Sequence, residues 1–245
     1  LSIILAALLS CYVLVVAFIF RDFKEDGLCE GLEIVLRDSL EKHFVTEGDL
    51  VYLLKQAKLY PVKTPMSEIN TEKIEEKLLS NNMISKVEAY KTPSRIIKLE
   101  IEQKMPILRI NSPAGNYYVD NLGSVMPLSR HYVAHVLVAS GQIDEKLALG
   151  DLYKFALFLQ EDDFWNDWIG QIYVDADNNV ELIPLVGNHK VILGSFDDYL
   201  TKLENLRLFY EQAIPKVGWD KYSEINLKYK NLSLIHISEP TRPRL

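Results

Sequence analysis

The chain begins with an unbroken apolar run, Leu1–Phe20, that contains no charged side chain. As a helix rising about 1.5 Å per residue, this run would cross a hydrocarbon core of about 30 Å. Charged residues begin abruptly at Arg21, and the pattern that follows mixes polar and apolar positions as water-exposed proteins do. We therefore expect residues 1–22 to form one transmembrane helix and residues 23–231 to lie in water.

A cleaved signal peptide is the competing interpretation of this run. The apolar part of a signal peptide is about 7–15 residues long and ends in a small-x-small cleavage site. Here the run is longer and ends in the bulky sequence Val-Ala-Phe-Ile-Phe. A lipoprotein signal is a third interpretation because Cys29 follows, but Leu28 is a poor residue before a lipidated cysteine. The pattern favours an uncleaved anchor.

Three segments between Cys29 and Met105 alternate with a period of two, which predicts three strands. The third has one apolar face and one mostly charged face, so one of its faces is expected to be buried. The residues on that apolar face are Ile97, Leu99, Ile101 and Met105. The predicted strands are Glu30–Leu36, Ile84–Tyr90 and Arg95–Met105.

Two helical patterns lie between the first two of these strands. The hydroxyl of Thr46 can cap the first helix, and Tyr60-Pro61 ends it. The second helix begins near Asn70-Thr71. Two helices packed on one face of a three-stranded sheet satisfy this order of elements. The side chains expected to face the sheet are Leu50, Leu53, Leu54, Ala57, Ile74, Leu78 and Leu79.

Residues 106–231 predict a mostly antiparallel β domain with flanking helices, because short alternating segments recur at hairpin spacing. Helices are expected over Gly150–Asp162 and over Ser195–Ala213, with Ser195 as the cap of the second. The fold class is therefore α+β. The predicted strands are Ile107–Asn111, Asn116–Asp120, Ser124–Met126, Ala134–Ala139, Ile169–Asp175, Val180–Pro184, Lys190–Gly194 and Ser223–Lys230, the last as an exposed sheet edge.

Charge and motifs exclude several function classes. The net charge is −7, and no block of Lys and Arg offers the basic surface that nucleic-acid binding requires. The two cysteines, Cys11 and Cys29, provide neither a disulfide framework nor a zinc-binding spacing. Asp175-x-Asp177-x-Asn179 has calcium-loop spacing, but Val180 replaces the required Gly and Val186 the required Glu. We expect a hairpin turn there.

No residue pattern nominates a catalytic group, a cofactor site or a metal site. The carboxylates Glu161, Asp162 and Asp163 are expected on a solvated helix end, and the histidines carry no partner motif. The aromatic residues Phe164, Trp165 and Trp168 are expected in the core. We therefore expect a protein that is not an enzyme and binds no cofactor, metal or small-molecule substrate.

Five short motifs follow one another along the water-exposed part. They are Ile84–Ile107, Tyr118–Pro127, His135–Gly141, Val191–Gly194 and Ile225–Tyr229. With the preceding anchor, their order and spacing resemble the FtsQ/DivIB family of bacterial cell-division proteins. The sequence departs from that family's pattern where Glu102–Pro106 replaces the usual Glu-Arg-x-Pro-x and where a valine in His135–Gly141 replaces a proline.

The resemblance implies a single-pass protein of the bacterial inner membrane, with a POTRA domain at 23–105 and a β domain at 106–231 outside the cytoplasm. It also implies a non-enzymatic divisome scaffold that recruits FtsB-like and FtsL-like proteins for septal cell-wall synthesis. In FtsQ, a segment of FtsB adds as a strand beside the last strand of the β domain. We therefore predict a partner-binding strand made of Ser223, Glu224, Ile225, Asn226, Leu227, Lys228, Tyr229 and Lys230.

Residues 232–245 stand apart from the preceding sequence. Their first part, Leu-Ser-Leu-Ile-His-Ile-Ser-Glu-Pro-Thr-Arg, resembles the translation of a transposase adapter used in sequencing libraries. We therefore expect an artefactual addition after Asn231 and exclude it from reasoning about the fold. A short disordered tail is the alternative.

Two other function classes stay open. A membrane-tethered enzyme would need a convergent polar pocket, which these residues do not assemble. A POTRA-containing protein of another transport or assembly complex would normally carry several POTRA units or a transmembrane β-barrel, and neither pattern is visible in the sequence.

Overall fold

The computed structural model of the chain describes residues 27–37, 44–229 and 232–237, together with Tyr12 and Val15. The chain divides into two compact units, with the boundary between Gln103 and Lys104. The predicted transmembrane helix falls outside the described residues except at those two isolated positions. No helix in the described part is long and apolar enough to span a membrane.

The first unit contains β1 (Gly31–Leu36), α1 (Glu47–Gln56), α2 (Thr71–Leu79), β2 (Ile84–Lys91) and β3 (Ile96–Gln103). Its sheet has the order β1-β3-β2. The central strand β3 pairs in parallel with β1 and antiparallel with β2. The predicted order of elements is therefore confirmed.

The central strand β3 supplies the middle of the first core. Its three aliphatic residues on the inner face are fully buried, namely Ile97, Leu99 and Ile101. Gln103 continues the same face at 3% exposure, and its Oε1 accepts a hydrogen bond from the Val45 amide at 3.0 Å. Met105 was predicted on this face, but it lies beyond the end of β3 and is 44% exposed. The prediction for Met105 is wrong because β3 ends at Gln103, whose buried side-chain amide accepts the hydrogen bond from Val45.

Both helices of the first unit begin at their predicted caps. The Thr46 hydroxyl accepts a hydrogen bond from the Asp49 amide at 3.2 Å, and the Asp49 carboxylate accepts one from the Thr46 amide at 2.9 Å. This reciprocal pair is a capping box. Asn70 caps α2 through the Lys73 amide at 2.9 Å. Leu79 was predicted to face the sheet but is 44% exposed, because it is the last residue of α2 and follows the buried side chain. The fully buried helical residues are Leu50, Leu54, Ile74 and Leu78.

The second unit is built on one large mixed sheet. Its strands are β4 (Pro106–Ser112), β5 (Gly115–Asp120), β6 (Val125–Met126), β7 (Leu137–Gly141), β8 (Ile169–Val174), β9 (Val180–Pro184), β10 (Lys190–Gly194), β11 (Tyr222–Tyr229) and β12 (Leu232–Ile237). Among the described strands the order is β12-β11-β10-β9-β8-β7-β4-β5-β6. Parallel pairing joins β4 to β7, β7 to β8 and β10 to β11, and the other neighbours are antiparallel.

Helices cover the inner face of this sheet. They are α3 (Glu145–Leu149), α4 (Asp151–Glu161), α5 (Asp163–Trp168), α6 (Tyr199–Gln212) and α7 (Ile214–Val217). The ring of Phe155 in α4 is fully buried and meets Tyr199 edge-on, with 5.1 Å between ring centroids. Contacts of this kind join α4 and α6 in one core with the sheet.

The helix predicted from Ser195 begins later, at Tyr199. Asp198 has a left-handed backbone with φ 52°, which is incompatible with a helix interior. The hydroxyl of Ser195 donates to the Asp197 carboxylate at 2.9 Å and accepts from the Asp197 amide at 3.4 Å, both before the helix begins, so it does not cap the helix. Ser195 closes a tight turn after β10, and the prediction of its role as a cap is wrong.

The turn after β5 is held by a buried aspartate. The Oδ1 atom of Asp120 accepts hydrogen bonds from the Leu122 and Ser124 amides at 2.9 and 2.8 Å. Its Oδ2 atom pairs with Nζ of Lys104 at 2.9 Å, and the Asp120 side chain is 1% exposed. The carboxylate of this ion pair is therefore shielded from water, whereas the Lys104 side chain is 19% exposed.

We expect Asp120→Asn to destabilise the second unit by about 1–3 kcal/mol, because the Lys104 ammonium then has no opposite charge beside it and little contact with solvent. Asp175→Asn is the matched control. Asp175 holds the hairpin turn between β8 and β9 in the same way, accepting from the Asp177 and Asn179 amides at 2.8 Å each, but it is more exposed. Urea unfolding of the two variants should show the larger loss of stability at Asp120, and equal losses would contradict the assignment.

The Asp175 turn itself confirms the predicted hairpin.

Candidate partner-binding strand

The predicted partner-binding strand lies between two neighbours. It pairs in parallel with β10, where Val191 is opposite Ile225, and antiparallel with β12, where Ile235 is opposite Ile225. The prediction that this strand forms the open edge of the sheet is therefore wrong for the chain as it stands. An open edge leaves N–H and C=O groups unpaired, and the next alternating segment of the chain pairs them. That segment is 232–237, which belongs to the stretch expected to be artefactual.

Two apolar side chains anchor the strand to the core. Ile225 is 1% exposed and Leu227 is 5% exposed, and both belong to the core that also contains Leu206 of α6. Ser223 is exposed, and Glu224 and Asn226 are half-buried. The alternation predicted for β11 is confirmed, since the strand turns one apolar face inward and one polar face outward.

Charged side chains tie β11 to its inner neighbours on the outer face. The Nζ atom of Lys190 donates to Glu181 at 3.1 Å and lies 3.6 Å from the Glu224 carboxylate. The hydrogen bond to Glu181 raises the pKa of Lys190, and the charges of Glu181 and Glu224 act in the same direction. Such exposed pairs contribute little stability. They align the three strands in register.

The second half of β11 departs from regular pairing. The register to β12 shifts between Asn226 and Tyr229. Within this interval the Lys228 amide donates to the side-chain oxygen of Asn226 at 2.9 Å. The Lys228 ammonium reaches across the sheet to Asn179 at 3.0 Å. The backbone of Tyr229 pairs with Leu232, and Lys230, the last predicted site residue, lies outside the described residues.

An aromatic cluster supports the start of β11, and sequence reasoning missed it. The ring of Tyr222 contacts Phe209 at 5.5 Å between centroids, and Trp219 contacts Trp168 at 5.2 Å. His189 stacks on Trp219 in the same cluster. The sequence indicates a core position for Trp168 but gives no partner for His189. These residues come from four separate segments, so no local pattern could indicate their contact.

A cavity in the second unit carries no catalytic constellation among its described lining residues. It has a volume of about 480 Å³ and opens where β7 begins, beside α4 and α5. Its polar side chains are His135, Gln160 and Asn166, and its lining includes no carboxylate, lysine, serine or cysteine. Among the described residues, no group of three or more His, Cys, Asp or Glu is arranged to hold a metal ion.

Comparison with protein families matches both units. A family model described as FtsQ/DivIB, C-terminal related, matches residues 105–232, which is more than half of the chain. The chain belongs to the FtsQ/DivIB family. A model of a POTRA-like domain matches residues 27–102, in the unit that carries α1 and α2. A comparison with curated proteins gave no match.

Membership of the FtsQ/DivIB family confirms the resemblance drawn from the five motifs. The two matched domains are of the non-catalytic, scaffold type, and they support a role in cell division. In general, FtsQ/DivIB proteins are membrane-anchored and carry a periplasmic domain. The match to the second unit ends at residue 232, where the adapter-like stretch begins.

Proposed function

We propose that this FtsQ/DivIB protein is a non-enzymatic divisome scaffold that receives a partner strand on the outer edge of β11. The partners are FtsB-like and FtsL-like single-span proteins, which it positions for septal cell-wall synthesis. The protein is anchored in the bacterial inner membrane by residues 1–22, and both units lie outside the cytoplasm. In the native protein the sequence after Asn231 differs from residues 232–245.

The observation that carries this proposal is the pairing of β12 with β11. Residues 232–237, which resemble a translated adapter, add as an antiparallel strand to the outer edge of β11. Main-chain hydrogen bonds do not depend on the side chains of the added strand, so an edge that accepts one alternating segment also accepts another. The buried Ile225 and Leu227 attach this edge to the core independently of any partner.

The experiment compares the full chain with a chain that ends after Asn231. In the full chain, residues 232–237 compete with any partner from within the molecule, at an effective concentration of about a millimolar. We expect the shortened chain to bind the extracytoplasmic segment of an FtsB-like protein from the same organism at least about tenfold more tightly.

Isothermal titration calorimetry measures both affinities. Thermal melting of the shortened chain verifies that the sheet persists without β12. Equal affinities of the two chains, with the shortened chain folded, would mean that the partner docks elsewhere.

A further inference from the structure

A buried histidine, a tyrosine and a tryptophan meet next to the starts of β10 and β11. His189 and Tyr210 are 5% and 4% exposed. The Nε2 atom of His189 and the Tyr210 hydroxyl are 2.7 Å apart and share a hydrogen bond. The imidazole lies nearly parallel to the ring of Trp219, with 6.1 Å between centroids and 17° between planes. We call these three residues the clamp.

The clamp joins the two strands that carry the docking edge to a helix. His189 directly precedes β10, Trp219 lies three residues before β11, and Tyr210 belongs to α6. Loss of these contacts would therefore release the starts of β10 and β11 together. These three residues thus add a contact between the docking edge and α6 to the one that Ile225 and Leu227 make with the core.

The surroundings of His189 suit the neutral ring and oppose the charged one. Its Nδ1 atom is buried and has no hydrogen-bond partner among the described residues. This atom faces Gly187, where an added Cβ would lie 2.7 Å from it. Protonation would therefore bury an N–H donor and a positive charge without an acceptor.

Among the described side chains, no opposite charge acts on the His189 ring. Tyr210 comes from α6, and burial raises its pKa, so its hydroxyl stays neutral. Trp219 comes from the turn before β11 and Gly187 from the turn before β10, and neither of them is titratable. Burial lowers the pKa of His189 from its ordinary value of 6.5 and is the cause that acts on it.

We propose that the clamp is a pH-sensitive switch on the docking edge, closed while His189 is neutral and opened when His189 takes up a proton. Its effect on partner binding rests on the proposed function of β11, whereas the switch itself does not. A group that binds a proton only in the open state shifts the opening equilibrium by up to about tenfold per pH unit below its unfolded pKa of about 6.5.

The direction in which stability changes with pH follows from the lowered pKa of His189 in the closed state. Above about pH 6.5 the open and closed states bind the same number of protons, so the closed state keeps its full stability. As the pH falls below that value, the open state takes up a proton first and stability is lost. Stability stops falling once the pH is below the pKa of the closed state.

The experiment follows urea unfolding of the full chain by tryptophan fluorescence between pH 5 and 8. All three tryptophans, Trp165, Trp168 and Trp219, lie in the second unit, so the signal reports that unit. The test variant is the double substitution His189→Phe with Tyr210→Phe, which keeps the ring contacts, removes the proton site and leaves no buried hydroxyl unpaired. The control variant is His135→Gln, because His135 is an exposed histidine.

We expect the unsubstituted chain and His135→Gln to lose stability together between pH 6.5 and pH 5.5, by up to about tenfold in the unfolding equilibrium. The double variant should have a flat profile over this range. The same slope in all three proteins would overturn the switch. A proton NMR titration gives a second readout that does not need unfolding, since the His189 ring must titrate below 6.5, and an ordinary titration would also overturn it.

Partner binding at pH 7.5 and pH 5.5, measured on the chain that ends after Asn231, separates the two proposals. No binding at either pH, together with the expected unfolding profile, refutes the docking function and leaves the switch standing. Binding that is equal at both pH values, with a flat unfolding profile, supports docking and overturns the switch.

Discussion

Gly141→Ala is expected to cost the second unit at least about 4 kcal/mol, a loss that only severe core defects produce. Gly141 ends β7 with φ 105°, and a Cβ atom built there would lie 2.0 Å from the carbonyl oxygen of Val174 in β8. That oxygen cannot move away, because it accepts a hydrogen bond from the Gln142 amide at 2.8 Å. The added methyl group must therefore separate two paired central strands.

Gly218→Ala is the matched control for this clash. Gly218 also has a positive φ, at 84°, but an added Cβ there would meet nothing within 4 Å. We expect it to cost about 1–2 kcal/mol, which is the backbone strain alone. Urea unfolding followed by tryptophan fluorescence measures both variants. If Gly141→Ala costs no more than Gly218→Ala, then β7 and β8 are not packed as described.

The first unit could be predicted almost completely from sequence because its signals are local. Alternation in β3 and the capping residues Thr46 and Asn70 each lie within a few residues of the element they define. The errors came where a distant partner decides burial. Gln103 is a polar residue on the buried face of β3, and the Val45 amide, far away in the chain, satisfies its side chain inside the core.

Helix boundaries in the second unit could be predicted less well. The acidic cluster before Phe164 lies at a solvated helix end, as predicted, but the sequence did not indicate that Asp162 caps α5 by accepting from the Phe164 and Trp165 amides at 2.9 and 3.2 Å. Lys202 donates to the Leu193 and Ser195 carbonyls at 3.0 and 2.9 Å, which stabilises the turn before α6. Both features depend on hydrogen bonds between side chains and the backbone, and the periodicity of apolar residues carries no information about such bonds.

Some features of the candidate partner-binding strand could likewise be predicted from the sequence, and others could not. The alternation of β11 and the burial of Ile225 and Leu227 could be read from the sequence, because a strand with one buried face has a fixed period. The pairing of β12 with β11 and the contact between His189 and Trp219 could not be predicted from the sequence. They depend on which segments meet in the folded sheet, and the neighbours of β11 come from before and after it in the chain.

Two proline substitutions in β11 are expected to have opposite effects on folding and on docking. Successive N–H groups of a strand point to opposite sides, so the donors of Asn226 and Leu227 face different neighbours. Proline deletes one donor and fixes φ. In the chain that ends after Asn231, the substitution whose donor faces β10 should destabilise the second unit by about 3 kcal/mol. The other should melt like the alanine variant at the same position and abolish partner binding.

Alanine variants separate the lost donor from the lost side chain. Leu227→Ala removes the same buried side chain as the proline substitution but keeps the amide, and Asn226→Ala likewise removes the side-chain acceptor of the Lys228 amide. Partner binding by calorimetry and thermal melting are measured on all four variants. The docking assignment requires one proline variant that melts like its alanine counterpart and no longer binds. If both proline variants are folded and bind as the unsubstituted chain does, the partner does not pair with β11, because no side chain could restore the deleted backbone donor on the docking side.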